Sequence, residues 1–460
     1  MRAGLPRLAL LALVLLASAF GCAPASAAPA VPADAFRDAV GVNTHVMHGE
    51  SPYWDLPQLK SALTYLGVRH IRDGVRWYRT RATQWYVDEQ ARRFQSLADD
   101  GVRFDLLLPG PREGYGTVDE ALDVMAATGG TESVEVANEW DLNGDPVGWT
   151  SQLHGHVREA RAELDAHPAL RGTPLVGPGF GRPGSSERFG DEAEAVDYGN
   201  AHPYTAGLPP EVAESPTQRS LERSIDALRL VSGPRPFMFT ESGYHDALAA
   251  TTGQPAVDRA TAAVYTVRTL LEHVRAGATR TYLYELADSF DDPAMGNPEA
   301  HFGLFDFAWR PKPAATAVRN LLAAVKDPLP APRGASLDYT IDGPTADLRE
   351  LLLSRAGGGF TLALWRTAPV WDPATQRRLA PRPTSVTVEL PHQFATASVV
   401  RPVTSADPVE TRSDATSVAV AVGAEPVLVE LEPTAGAPAP PPSAPAGSRP
   451  WWCAWFSWAC

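Results

Sequence analysis

Cysteine is scarce, with three in 460 residues, which excludes a dense disulfide framework. Basic residues are outnumbered, 40 against 54 acidic, and the formal charge of −14 repels phosphate backbones and anionic membrane surfaces. A nucleic-acid partner is therefore not expected. No apolar stretch after the first twenty residues approaches the ~20 needed to span a bilayer. Proline and glycine, by contrast, are plentiful at 43 and 37, too many for a helix bundle and suited to many short elements joined by turns. With 44% hydrophobic and 20% charged residues the composition is that of an ordinary globular protein, long enough for at least two cores.

Arg2 and Arg7 precede an apolar run over 8–20, and small residues follow in Gly21-Cys22-Ala23-Pro24-Ala25-Ser26-Ala27-Ala28. This reads as a secretory signal peptide cleaved after Ala27, because the run is too short to be a membrane anchor. A lipid-anchored form beginning at Cys22 is the alternative, although Ala19-Phe20-Gly21-Cys22 matches the lipoprotein pattern poorly. Cleavage removes Cys22 and leaves Cys453 and Cys460 in an exported chain, where they are expected to pair across a short loop.

From 40 to 327 one unit repeats eight times: a β-branched or aromatic run, a loop, then an amphipathic stretch of 3.6-residue period. The strands are expected over 40–45, 68–72, 102–108, 133–139, 173–177, 196–202, 236–241 and 280–285. Strands alternating with helices imply parallel pairing by right-handed crossovers, and eight in succession imply a closed (β/α)8 barrel. Ala260, Val264, Val267, Leu271 and Val274 form one helical stripe ended by Gly277. Leu56, Leu59, Leu63 and Leu66 form another, and Ala314, Val318, Leu321, Leu322 and Val325 the last. An open doubly wound sheet is the competing architecture, but Gly41-Val42-Asn43-Thr44-His45 stands where a phosphate-binding glycine loop would follow the first strand.

After Leu329-Pro330-Ala331-Pro332 the helical period ends, and strand-like runs at 351–353, 360–365, 385–390, 417–422 and 426–431 suggest an antiparallel β-sandwich. The expected organisation is a signal peptide over 1–27, a barrel over 28–330, a sandwich over 335–433, a Pro/Ala-rich linker over 434–450 and a Trp/Cys-rich tail over 451–460.

In such a barrel the chemistry lies at the carboxyl ends of the strands. The fourth ends Val136-Ala137-Asn138-Glu139-Trp140 and the seventh Phe239-Thr240-Glu241-Ser242-Gly243. Alternation directs Glu135, Ala137 and Glu139 to the axis with Val134 and Val136 toward the helices. The same parity directs Phe237, Phe239 and Glu241 inward and Met238 and Thr240 outward. Two glutamates from opposite sides then face one space, as glycosidic bond cleavage requires: one protonates the departing oxygen while the other attacks the anomeric carbon or activates water.

On these residues the chain resembles the clan A glycoside hydrolases, retaining enzymes on (β/α)8 barrels that include families 5 and 39. The resemblance covers 40–327. It implies that Glu139 is the acid/base, that Glu241 is the nucleophile and that Asn138 contacts the sugar 2-hydroxyl. Arg72 matches an arginine bonded to the nucleophile, and His202-Pro203-Tyr204 the His-x-Tyr segment whose tyrosine orients it. The eighth strand, Tyr282-Leu283-Tyr284-Glu285, departs from the clan, many members of which end it with tryptophan. Tyr284, Trp140 and His45 complete the expected substrate contacts. Glu285 is either a third pocket carboxylate or, preferably, an ion-pair partner. Trp77, Trp85 and Trp309 are further aromatics for the rim.

Two other classes compete. His45 and His48 near the end of the first strand could begin a metal hydrolase site, but His45-x-x-His48 is poor strand spacing, and His154 and His156 do not share a helix face. A secreted carbohydrate-binding protein on a decayed barrel is the other, opposed by the presence of both glutamates. The reading calls for an oligo- or polysaccharide substrate, no cofactor and no metal, with the tryptophan-rich tail offered as a cell-surface contact.

Overall fold

The computed structural model describes residues 28–76, 84–111, 116–215, 219–327 and 329–434. The expected signal peptide, Trp77, the expected linker from 435 on and the Trp/Cys tail lie outside them. Eight parallel strands make the barrel: β1 Val40–Asn43, β2 His70–Gly74, β3 Arg103–Leu107, β4 Thr131–Glu135, β5 Leu175–Val176, β6 Gly199–Ala201, β7 Phe237–Ser242 and β8 Thr281–Leu283. Each pairs with its chain neighbour, β8 pairs with β1, and a bridge between Val176 and Tyr198 links β5 toward β6, so the ring is nearly closed.

The helices form where the apolar stripes lie. In Leu56–Leu66, Asp55 caps the first turn and Gly67, at φ 74°, ends the last, while Leu59, Leu63 and Leu66 are buried. Helix Arg259–Arg275 is capped by Asp258 and is buried on nearly every face, not only along its stripe. The second domain explains this. Arg268 pairs with Glu211 of the barrel and donates to the Ala368 carbonyl at 2.9 Å, while Trp365 Nε1 donates to the same Glu211 at 2.7 Å.

That second region is mostly antiparallel, built chiefly from β9 Leu348–Ser354, β10 Phe360–Arg366, β11 Thr384–Val400, β12 Pro408–Val422 and β13 Val427–Glu432. The long β11 and β12 pair along almost their whole length. Leu362, Leu364, Val386, Val388, Val399, Val427 and Val429 form its core. The chain also enters through this region: Ala28–Pro29 pairs with Ser336–Leu337, and Val31–Pro32 pairs with Leu353–Ser354, before β1 begins. Residues 28–32, assigned from sequence to the barrel segment, thus sheet with the C-terminal region.

Inside the barrel, a Cβ on Gly41 would lie 2.4 Å from the Tyr282 ring, so glycine is what lets that ring fill the floor. Val176, Met238, Tyr198 and Tyr282 pack there together. This corrects the parity expected for β7. Met238 and Thr240 face the axis, whereas Phe237 and Phe239 pack outward against Leu221, Ile225 and Leu228 of the helix layer. Glu241 still reaches the axis because the register slips: Thr281 pairs with Phe239 but Leu283 with Ser242. One extra residue on β7 breaks the alternation and turns consecutive side chains inward.

Candidate active site

Above the Tyr282 floor the barrel carries a polar layer centred on Arg72. Its Nε and Nη2 donate to Glu135 at 2.6 and 2.9 Å, Nη1 donates to Glu241 Oε1 at 2.7 Å and Asn43 Oδ1 at 2.9 Å, and Nη2 also donates to Asn138 Oδ1 at 2.7 Å. Thr240 Oγ1 and Asn200 Nδ2 reach Glu135 Oε1 at 3.2 and 3.1 Å. Asp105 accepts from Ser133 at 2.6 Å. Burial, aided by the charge of Glu135, pushes Asp105 well above the usual carboxylate range.

Glu241 ends β7 at the rim of this layer. Tyr204 donates its hydroxyl to Oε2 at 2.9 Å. Burial alone would raise the Glu241 pKa, but the charges of His202 and Arg72 and the bonds from Arg72 and Tyr204 outweigh it and hold it below the ordinary glutamate value. Glu139 follows β4 in a left-handed conformation, φ 44°, unusual for a side-chain-bearing residue and fixed by Glu139 N donating to Gly179 at 3.2 Å. Its Oε1 lies 2.8 Å from His202 Nδ1, and Oε2 borders Gly181, where a Cβ would come within 3.0 Å. His202, its ring almost fully buried, lies 3.8 Å from Glu241 Oε2. Burial would lower its pKa, yet the charge of Glu241 and the bond to Glu139 raise it above 6.5. One carboxylate oxygen from each of Glu139 and Glu241 and a His202 nitrogen lie within 4.8 Å of one another.

The two glutamates line an open cavity of about 880 Å³ with Asn138, Arg72, Tyr204, Tyr284 and His45. The structure therefore brings together seven of the nine residues expected from sequence around this space, with His202 directly behind Glu139. Trp140 is the exception and a correction: it is 4% exposed, its ring fills the space left by Gly110 and Gly144, and it does not line the cavity. Trp309 meets the Tyr53 ring edge-on, and Trp85 is exposed outside the cavity. Glu285 is fully buried and accepts from Tyr53 and Ser289 at 2.9 Å, with His45 Nε2 at 3.2 Å, so it is a partner of His45 and not a pocket carboxylate. Sequence reasoning missed Asn43, Asp105, Asn200 and Thr240. The signal for Asn43, Asp105 and Asn200 was a polar residue within an otherwise apolar strand, whereas Thr240 was hidden by the parity expected for β7. It also missed Glu299, a carboxylate on the cavity wall whose pKa is raised by desolvation against that wall and by the charges of Glu285, Glu241 and Glu139.

Two donor clusters could be considered for a metal ion. Glu139, His202 and Glu241 form the first, but Arg72 and Tyr204 already hold the Glu241 oxygens. Asp246, Asp288 and His301 form the second, where the Lys312 ammonium donates to both aspartates at 2.7 Å and supplies the cation itself. His48 faces the Phe290 ring and does not join His45 in a ligand set. Among the described residues no helix is long and apolar enough to cross a membrane.

No protein-family model matches the chain, and no curated protein matches its sequence. Solved structures do. A family 39 glycoside hydrolase from Bacteroides cellulosilyticus WH2 is 16% identical with a TM-score of 0.59, over 88% of this chain and 83% of that one. A monomeric beta-xylosidase from Caulobacter crescentus CB15 is 16% identical with a TM-score of 0.57, over 89% and 98%. A glycoside hydrolase family 5 protein from Bacteroides vulgatus is 12% identical with a TM-score of 0.53, over 88% and 91%. What the chain has in common with these glycoside hydrolases is the fold, a (β/α)8 barrel joined to a β-rich region.

Proposed function

We propose that the protein is a secreted glycoside hydrolase that cleaves an O-glycosidic bond of a glycan with retention of configuration. The observation that carries this reading is that one carboxylate oxygen of Glu139 and one of Glu241 lie within 4.8 Å of each other, a closeness that suits the ~5–5.5 Å carboxyl spacing of retaining enzymes better than the ~6.5–9.5 Å that inverting enzymes leave for a water. Glu241, kept ionised by Arg72 and Tyr204, attacks the anomeric carbon while Glu139 gives its proton to the departing oxygen. A glycosyl ester on Glu241 results. Glu139, now ionised, takes a proton from water as that water attacks the same carbon, releasing the sugar and restoring both carboxyls.

The surrounding groups fit these roles. Arg72 can only donate, so the Asn138 amide oxygen faces it and leaves the amide nitrogen to meet a sugar hydroxyl. His202 fixes one oxygen of Glu139, and Gly181 leaves space beside the other for the leaving group. The fold likeness to a beta-xylosidase makes β-linked pentosides and hexosides the first substrates to try. The segment over 1–27 supports export.

Following the first-formed anomer by proton NMR during hydrolysis of an aryl β-glycoside tests the mechanism. Appearance of the β-anomer before mutarotation is expected, and initial release of the α-anomer would overturn retention. Binding of glycans without turnover by the intact chain would favour the carbohydrate-binding alternative.

A further inference from the structure

A second cavity, of about 360 Å³, adjoins the first and shares Glu139, Gly181, Tyr204 and Gln254 with it, whereas Glu241 and Arg72 line the larger one. Glu139 therefore stands at the junction. An acid that protonates a departing oxygen has the leaving group on the side away from the nucleophile, so the smaller cavity is where that group lies. Its size falls within the range of small-ligand pockets.

The walls of the two cavities differ in charge. In the larger one the guanidinium of Arg72 is saturated by Glu135, Glu241, Asn43 and Asn138. The smaller one is lined by Arg182 and Arg219, with Phe180 and Pro183 as apolar surface. Arg182 is exposed and donates Nη1 to the Asp141 carbonyl at 2.8 Å, a backbone acceptor, and among the described residues it forms no ion pair. Its loop is fixed, because the buried Asp141 carboxylate accepts from Gly181 N, Arg182 N and Ser185 Oγ at 3.1, 2.9 and 2.7 Å. Arg219 lies 3.6 Å from Glu187, which Arg223 also engages at 3.1 Å.

We infer that this cavity is a leaving-group subsite for a unit bearing an anionic substituent, a carboxylate or a sulfate ester, recognised by Arg182 and Arg219. The inference rests on the glycosidase reading above. Planar guanidiniums suit both anions, and in a chain of net charge −14 two arginines lining one cavity beside Glu139 run against the average composition.

The test compares 4-carboxyphenyl, 4-sulfophenyl and 4-carbamoylphenyl glycosides of whichever sugar the wild-type protein releases from its 4-nitrophenyl glycoside. The expected result is a kcat/KM for one of the acids ~10-fold above that for the amide at low salt, shrinking as salt is added. The carboxyl and sulfo arms tell the two anions apart. In the Arg182→Gln/Arg219→Gln double variant the acid-to-amide ratio should fall at least ~5-fold, and Arg182→Lys should recover part of it. An acid-to-amide ratio near one for both acids in the wild type, or a ratio that the double variant leaves unmoved, would overturn the subsite. Release of nitrophenol that depends on Glu241 tests the glycosidase reading separately, so the two failures are distinguishable.

Discussion

The two buried regions of this protein are filled with opposite materials. In the C-terminal β-region, Leu362, Leu364, Val388, Val427 and Val429 form an apolar core of the kind that stabilises a fold by removing area from water. In the upper barrel the equivalent space holds Arg72, Glu135, Asn43, Asn200 and Thr240, buried in one hydrogen-bonded network, with Asp105 buried beside them and held by Ser133. Buried charges contribute little net stability against well-packed hydrophobes, yet removing one partner is costly. The contrast assigns stability to the β-region and the helix layer, and the aiming of Glu241 and Asn138 to the polar layer.

The largest effect that would sharpen this division falls on Glu241, the proposed nucleophile. Glu241→Gln keeps the shape and the Arg72–Glu135 pair, so kcat should fall by ~10⁴-fold or more while the melting temperature changes by no more than a few degrees. Steady-state rates beside a thermal melt decide it, and near-normal turnover on a confirmed substrate would remove Glu241 from its role.

Arg72→Met should damage both properties, costing ~3–5 kcal/mol because Glu135 and Glu241 lose their shared cation in a buried site. Its pH signature separates aiming from simple unfolding. The Glu241 pKa is depressed in the folded protein, so its ionisation favours folding above the ordinary carboxylate range and loses that effect as pH falls through the folded value. Without Arg72 the acid limb of kcat/KM should move to higher pH in whatever fraction remains folded. An unmoved limb would mean that Arg72 does not tune the carboxylate.

Leu362→Ala in the β-region should cost ~2–5 kcal/mol in denaturant unfolding and leave kcat of the folded enzyme unaltered. A drop in kcat without a drop in stability would break the comparison. The smallest effect concerns Asp105, whose folded pKa lies above its unfolded one. Its contribution to stability is complete below the unfolded pKa near ~4 and is lost as pH rises toward the folded value. Asp105→Asn removes that loss, so relative to wild type it should gain stability between pH 4 and pH 7, read from urea midpoints at the two pH values, and an unchanged difference between the two would put Asp105 outside this role.

Much of the barrel was legible because eight repeats of strand and amphipathic helix leave few alternatives, and because strand ends bearing Asn138-Glu139 and Glu241 are where side chains meet over the axis. The inward parity of β7 was not legible. A one-residue bulge leaves no mark in composition, and Phe237 and Phe239 look equally suited to either face until the helix carrying Leu221, Ile225 and Leu228 covers them. Trp140 misled for a related reason: a tryptophan beside a catalytic candidate suggests a sugar platform, but the bare backbones of Gly110 and Gly144 give its ring a buried seat. The length of β11 and β12 was also hidden, since 389–396 carries proline and exposed polar residues that interrupt the alternating pattern.

The pairing of Ala28–Pro29 with Ser336–Leu337 and of Val31–Pro32 with β9 has a consequence for how the chain is made. During synthesis residues 28–32 must wait for more than three hundred others to emerge before their strand partners exist, so completion of the barrel and closure of this seam are late events. A version cut between 330 and 336 would strand its own beginning, and linking new sequence directly ahead of Ala28 would load the edge that fastens the two regions together.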